Sequence, residues 1–188
     1  MKLGKTNKGK IENKNSTTIY SHTLHYRYRW NLLTIFIQLN MMLSFFYFAQ
    51  NYLHATDQNI LQSFGYLAIL WVLQGISLFL YCFVSSISMS WHIDAFFSPW
   101  GGWKTKLPLS ISDYQQIEWM FFFLGIASGI GLAAWSKPLH GLLLLAFHIT
   151  LSIPRLFTVL RIQKWKKEKK SYVVKHERQG IGLYSTNG

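Results

Sequence analysis

Four long apolar runs are the feature that most constrains how this chain of 188 residues can fold. They cover residues 32–49, 64–87, 117–135 and 139–160. A helix of about 20 apolar residues crosses the hydrocarbon core of a bilayer. Backbone groups left unpaired in hydrocarbon are costly, so such runs must be helical. The sequence therefore predicts an all-α fold: an integral membrane four-helix bundle over residues 30–160.

Composition supports a membrane protein and excludes several other classes. Half of the residues are hydrophobic and only 14% are charged, against about 25% charged in an ordinary soluble domain. Nineteen Lys and Arg oppose seven Asp and Glu, which gives a net charge of +12. These figures exclude an acidic disordered chain, a charged coiled coil and, with a single cysteine, a disulfide scaffold.

The distribution of Lys and Arg predicts the orientation. Seven lie in residues 1–29, none in 50–63, two in 88–116, one in 136–138 and nine from Arg155 onward. Because cytoplasmic segments carry the excess of Lys and Arg, we expect both termini in the cytoplasm. No organelle signal is evident, so we expect the bacterial inner (plasma) membrane.

Two basic segments flank the predicted bundle. Residues 1–29 are expected to form a mostly disordered cytoplasmic arm, and residues 161–188 a basic cytoplasmic tail that ends loosely. The run at 161–170 follows the fourth span directly, a position typical of an orientation signal that also attracts anionic lipid. Since no nucleic-acid-binding fold surrounds the run, we do not expect nucleic acid as a partner.

The loop between the second and third spans is rich in tryptophan. Trp91, Trp100 and Trp103 lie close together, and Pro99 and the glycine pair at 101–102 interrupt any helix. Aromatic rings favour the membrane interface. We interpret this stretch as an aromatic interfacial loop that anchors the protein, and alternatively as a docking surface for a partner subunit or an amphiphilic substrate.

Small and polar residues recur along single faces of the spans. Such rows allow close approach and hydrogen bonding between membrane helices, so we predict that they pack against neighbouring helices, with a transport path as the alternative. The rows comprise Gly125, Gly129 and Ala133 in the third span, Gln74, Ser77 and Tyr81 in the second, and Gln38 in the first.

The fourth span holds two candidate functional residues, His148 near its middle and Arg155 directly after Pro154. We predict that His148 donates a hydrogen bond to a neighbouring helix. Because proline has no backbone N–H, Pro154 leaves the carbonyl of Thr150 without its usual helical hydrogen bond. Arg155 is interpreted as an interfacial anchor that extends to the membrane surface; the alternative is a buried cation facing a carboxylate or a lipid phosphate.

The sequence does not predict a cofactor. Two imidazoles would have to face each other to hold a membrane haem, and His148 is the only histidine in the middle of a span. His22, His25, His92 and Asp94 are a candidate metal set, since imidazole and carboxylate suit zinc or iron. No metal signature, phosphate-binding loop, dinucleotide fingerprint or nucleophile elbow is present, so no catalytic residue is assigned.

Three hypotheses for function follow. The first is a non-catalytic membrane subunit that assembles or anchors a larger inner-membrane complex of the secretion, glycan-export or respiratory type. The second is a small transporter or homo-oligomeric channel. The third is a membrane enzyme that uses a His/Asp site at the cytoplasmic face.

Overall fold

The computed structural model describes residues 22–29, 32–93, 100–164, 172–177 and 180–186. All four of its helices are long and apolar enough to cross a membrane, which confirms the prediction of four apolar helices. They are α1 (Leu32–Tyr52), α2 (Asp57–Val84), α3 (Ile111–Trp135) and α4 (Pro138–Gln163).

Two helices begin earlier than their apolar runs, α2 by seven residues and α3 by six. The side chains of Thr56 and Ser110 cap them, accepting hydrogen bonds from the backbone nitrogens of Asn59 and Asp113. Such caps satisfy backbone donors that the first turn leaves free. Each first turn also carries an aspartate, which the helix dipole favours. Hydropathy alone does not detect these polar turns.

The prediction of an all-α fold is wrong, because a four-stranded antiparallel sheet accompanies the helices. Its strand order is β1-β6-β5-β4, and a separate hairpin pairs β2 with β3. The strands are β1 (His22–Arg29), β2 (Met89–Trp91), β3 (Trp103–Thr105), β4 (Leu109–Ser110), β5 (Tyr172–Glu177) and β6 (Gly180–Thr186).

The sheet includes part of both flanking segments. Residues 22–29, at the end of the mostly disordered arm that the sequence predicts, pair with residues 180–186, from His22 opposite Thr186 to Arg29 opposite Gly180, which corrects the prediction of a loose C-terminal end. Alternate residues of the C-terminal strands, such as Val174 and Leu183, are fully buried, as the two-residue period of a strand requires. Residues 1–21 lie outside the described residues.

The sheet gathers three distant parts of the chain at one end of the helices, which we call the sheet end. These parts are the N-terminal strand, the connection between α2 and α3, and the C-terminal strands. One hydrophobic core joins the sheet to the helices there, through side chains such as Leu183, Ile117 and Ile162. The short α1–α2 and α3–α4 links meet at the opposite end, where Ala55 packs with Leu143.

Glycine allows α3 and α4 to pack closely. A Cβ atom at Gly125 would overlap the ring of His148, and one at Gly129 would overlap Leu145. On the facing helix, a Cβ at Gly141 would lie 2.5 Å from the carbonyl oxygen of Gly129 and would overlap Ala133. The structure therefore places the row of Gly125, Gly129 and Ala133 in the contact between α3 and α4.

This contact predicts different effects for two alanine substitutions. Gly141→Ala should lower the stability by about 1–3 kcal/mol, because the new methyl group meets backbone atoms that cannot give way. Gly131→Ala is the matched control, since nothing lies within 4 Å of a Cβ there; it should be neutral or stabilising by up to about 1 kcal/mol. Thermal unfolding in detergent measures both, and equal midpoints would contradict the described packing.

Candidate functional site

A buried ion pair between α3 and α4 is the most unusual polar feature of the bundle. The Nε atom of Arg155 donates to Oε2 of Glu118 at 2.7 Å. Arg155 is 8% exposed and Glu118 is 2% exposed. The two residues lie seven and eight positions from the helix ends nearest the sheet, which is about 10–12 Å at 1.5 Å per residue.

The geometry overturns the interpretation of Arg155 as an interfacial anchor. Its guanidinium group faces the protein interior and pairs with a carboxylate of the same chain. The alternative drawn from the sequence, a buried cation facing a carboxylate, describes the observed arrangement. The physical reason is that Glu118 lies inside α3, so its charge is stabilised by a cation at the same depth rather than by water.

Two aromatic residues complete the surroundings of the pair. The indole Nε1 of Trp100 donates to Oε1 of Glu118 at 2.9 Å. The guanidinium carbon of Arg155 lies 4.7 Å from the centroid of the Phe121 ring, a distance at which the ring attracts a cation. Both carboxylate oxygens thus accept a hydrogen bond. We call Glu118, Arg155, Trp100 and Phe121 the Glu118 cluster.

Trp100 is inside the protein rather than at the membrane interface, which corrects the prediction for this residue. It is 3% exposed. The chain reaches this position through a turn in which Gly101 and Gly102 adopt φ of 56° and 93°, values that side chains rarely tolerate. The ring of Trp71 covers Gly101 so closely that a Cβ there would lie 2.6 Å from it.

The other two loop tryptophans lie nearer the surface. Trp91 is exposed on β2, and its Nε1 donates to the carbonyl of Gly101 at 3.2 Å. Trp103 is half-buried and lines an apolar cavity of ≈ 370 Å³ beside α2. The loop therefore holds Trp100 in the core while Trp91 remains available to the interface. Residues 94–99 lie outside the described residues.

His176 of β5 covers the cluster from the sheet side. Its ring centroid lies 4.2 Å from that of Trp100, and its Nδ1 is 3.4 Å from Oγ1 of Thr105. Burial, with a smaller contribution from the nearby charge of Lys104, lowers the pKa of His176 to about 4. The imidazole is therefore neutral at neutral pH and does not add a charge to the ion pair below it.

His148 and Gln38 both donate hydrogen bonds to a neighbouring helix. The Nε2 atom of His148 donates to the carbonyl of Phe122 on α3 at 3.2 Å. Gln38 donates to the carbonyl of Thr150 at 3.5 Å, the group that Pro154 leaves without its usual helical partner. The predicted packing residues therefore make contacts between helices.

Polar residues of α2 also donate hydrogen bonds to a neighbouring helix. Gln74 donates to the carbonyl of Phe121 at 3.3 Å. The Tyr81 hydroxyl donates to Oε1 of Gln116 at 2.8 Å. Ser77 is half-buried on the same helix. These bonds tie α2 to α3 next to the Glu118 cluster.

The candidate metal residues are only partly described. His25 on β1 is exposed and hydrogen-bonds Oγ of Ser185 at 2.8 Å. His92 bonds Oγ of Ser90 at 2.9 Å, His22 begins β1, and Asp94 lies outside the described residues. Among the described residues, no group of three or more His, Cys, Asp or Glu side chains lies close enough to hold a metal ion.

Sequence reasoning missed Glu118 as a site residue. Glu118 is the second residue of the third apolar run, so its place in the sequence does not separate it from the polar loop before it. A usable signal existed: Glu118 lies within one apolar run and Arg155 within another. Opposite charges within membrane helices usually pair.

Comparison of the chain with protein-family models, with curated proteins and with solved structures found no match. Function is therefore inferred from the geometry of the chain itself.

The ion pair predicts a large loss of stability when one partner is removed. Arg155→Met should lower the stability by about 3–5 kcal/mol, because it leaves the Glu118 carboxylate buried and uncompensated. The double variant Glu118→Gln/Arg155→Met should lose less, since neither charge remains. Arg161→Met is the matched control: this exposed arginine of the same helix should change stability by less than about 1 kcal/mol. Equal unfolding midpoints for the two single variants would rule out a stabilising pair.

Proposed function

We propose that this chain is a non-catalytic multi-pass membrane subunit that assembles or anchors a larger complex of the bacterial inner membrane, of the secretion, glycan-export or respiratory type. One observation carries the proposal: three polar side chains of the helices, Arg155, His148 and Gln38, each have a partner within the chain. Arg155 pairs with Glu118, His148 bonds α3, and Gln38 bonds α4. This supports a structural use of these residues.

The same observation favours a structural role over transport. A transport path would need polar side chains that face a continuous cavity. The cavity nearest the Glu118 cluster is lined by apolar side chains, with Gln74 as the exception, and the Gln74 amide is bonded to the backbone of Phe121. Neither His148 nor Arg155 is among the residues that line it.

It also favours a structural role over catalysis. A general acid or base must reach its substrate within hydrogen-bonding distance. Glu118 is the carboxylate set deepest in the helices, and both of its oxygens already accept hydrogen bonds, one from Arg155 and one from Trp100. This arrangement stabilises a fixed charge inside the protein.

For orientation we propose that the sheet end faces the cytoplasm, where its basic residues would meet anionic lipid. The described basic residues of this end are Arg27 and Arg29 of β1, the two lysines near β3, and Arg161 and Lys164 at the end of α4. The excess of Lys and Arg in these segments supports this orientation.

Single-cysteine labelling tests the orientation. Cys82 is the only cysteine, so Cys82→Ala provides the background. Gln58→Cys, at the start of α2, should react with an impermeant maleimide in intact cells. Lys175→Cys, exposed on β5, should react only after the membrane is opened. The reverse pattern would contradict a cytoplasmic sheet end, and equal labelling in intact cells would contradict helices that cross the membrane.

Affinity purification from native membranes in mild detergent tests the function. Mass spectrometry should find other membrane chains in fixed ratio to this one. An unrelated four-span protein with the same tag, purified from the same membranes, is the control. Recovery of this chain without other proteins would overturn the proposal. Flux through reconstituted protein that falls in both His148→Ala and Arg155→Ala would support transport in its place.

A further inference from the structure

The outward face of α1 carries a row in which four of six residues are polar, where a helix facing lipid should be apolar. The row alternates steps of four and three residues along the whole helix, and each member is exposed. Its members are Leu33, Ile37, Asn40, Ser44, Tyr47 and Asn51. We call this row the α1 seam.

Most of the α1 seam lies away from the side of α1 that packs on the bundle, while Ile37 at its edge lines a cavity shared with α4. Met42, Phe45 and Ala49 turn toward the core that includes Leu143. At 100° per residue, these positions lie on average about half a turn away from Asn40 and Ser44. The polar residues of the seam therefore cannot be explained by contacts with α2 or α4.

Asn40 and Ser44 lie in the middle of the helix, about 12 and 18 Å from its start. The Nδ2 atom of Asn40 donates to the carbonyl of Phe36 at 2.8 Å; among the described residues, no other hydrogen bond of this side chain is seen. Its oxygen and second N–H would thus face hydrocarbon, which is unfavourable for an amide. An open groove of ≈ 570 Å³ adjoins both residues.

We infer that the α1 seam is the contact between two copies of this chain, packed with their α1 helices parallel. The spacing of four and three residues is that of helices crossing at about 20°, which is common between membrane helices. Two copies inserted in the same orientation place their Asn40 residues at the same depth. An amide both donates and accepts, so the two Asn40 side chains are complementary under two-fold symmetry.

This inference rests on the proposed role as an assembly subunit and names one of its partners. Ser44, one turn after Asn40, is small enough to let the helices approach. Ile37 and Leu33 then extend the contact toward the sheet end. One interface would bury the exposed amide and the groove beside it together.

Cysteine cross-linking in native membranes tests the contact. In the Cys82→Ala background, Ser44→Cys should form a reducible covalent dimer with a mild oxidant. Leu39→Cys is the matched control: it is 53% exposed but lies 100° around the helix from Asn40, and it should not cross-link. Equal cross-linking of both, or of neither, would overturn the inference. Cross-linking of Ser44→Cys to a different protein would replace the second copy by that partner.

A second measurement tests Asn40 itself. Sedimentation equilibrium in detergent should show a dimer for the wild type and about tenfold weaker association for Asn40→Leu, within the range for polar contacts between membrane helices. Because Asn40 faces away from the bundle, the thermal unfolding of the single chain should be unchanged. A monomeric wild type, or unchanged association of Asn40→Leu, would overturn the inference.

The two proposals fail separately. Other chains that co-purify without a Ser44 cross-link would support the assembly function and overturn the α1 dimer. A Ser44 cross-linked dimer that purifies with no other chain would support the dimer and overturn the larger complex.

Discussion

The pairing of Glu118 with Arg155 is the interaction on which the rest of the structure depends. Neither charge is stable alone at that depth, because desolvation of a single buried ion exceeds what packing can offset. The second carboxylate oxygen requires a donor, and the indole of Trp100 supplies it. Placing that indole requires the chain to turn back at Gly101 and Gly102. His176 of the sheet covers this indole. The loop and the sheet thus both enclose this one buried pair.

The hairpin of α3 and α4 is the rigid centre of the protein. The ion pair joins the two helices near the sheet end, the His148 bond joins them further along, and Gly141 lets their backbones touch at the far end. This combination of close approach and hydrogen bonding stabilises helices in lipid, where the hydrophobic effect between them is absent. The α1 helix is joined to α4 more sparsely, and most of its surface is exposed.

The polar residues inside the bundle and those on the outward face of α1 differ in their hydrogen-bond partners, and this difference bears on function. Inside, Gln38, Gln74 and His148 each have a partner in the chain. Outside, Asn40 bonds to its own helix and, within the described part of the chain, to no other residue. A protein that functioned alone in lipid would have no need of the outer row. This contrast connects the proposed assembly role with the inferred α1 dimer, since both require an intermolecular surface on the outside of the bundle.

The four helices could be predicted from their apolar runs, because a segment of twenty apolar residues in lipid pairs its backbone groups within a helix. The sequence also indicated the rows that face other helices, since a helix repeats every 3.6 residues whatever surrounds it. The sheet could not be predicted in this way. Its strands are short and mostly basic or glycine-containing, and their pairing joins residues 22–29 with 180–186 across almost the whole chain. The site could likewise be predicted only in part. Arg155 stands out in the sequence as a cation within an apolar run. The roles of Glu118 and Trp100 depend on tertiary packing, which brings three separate segments around one charge.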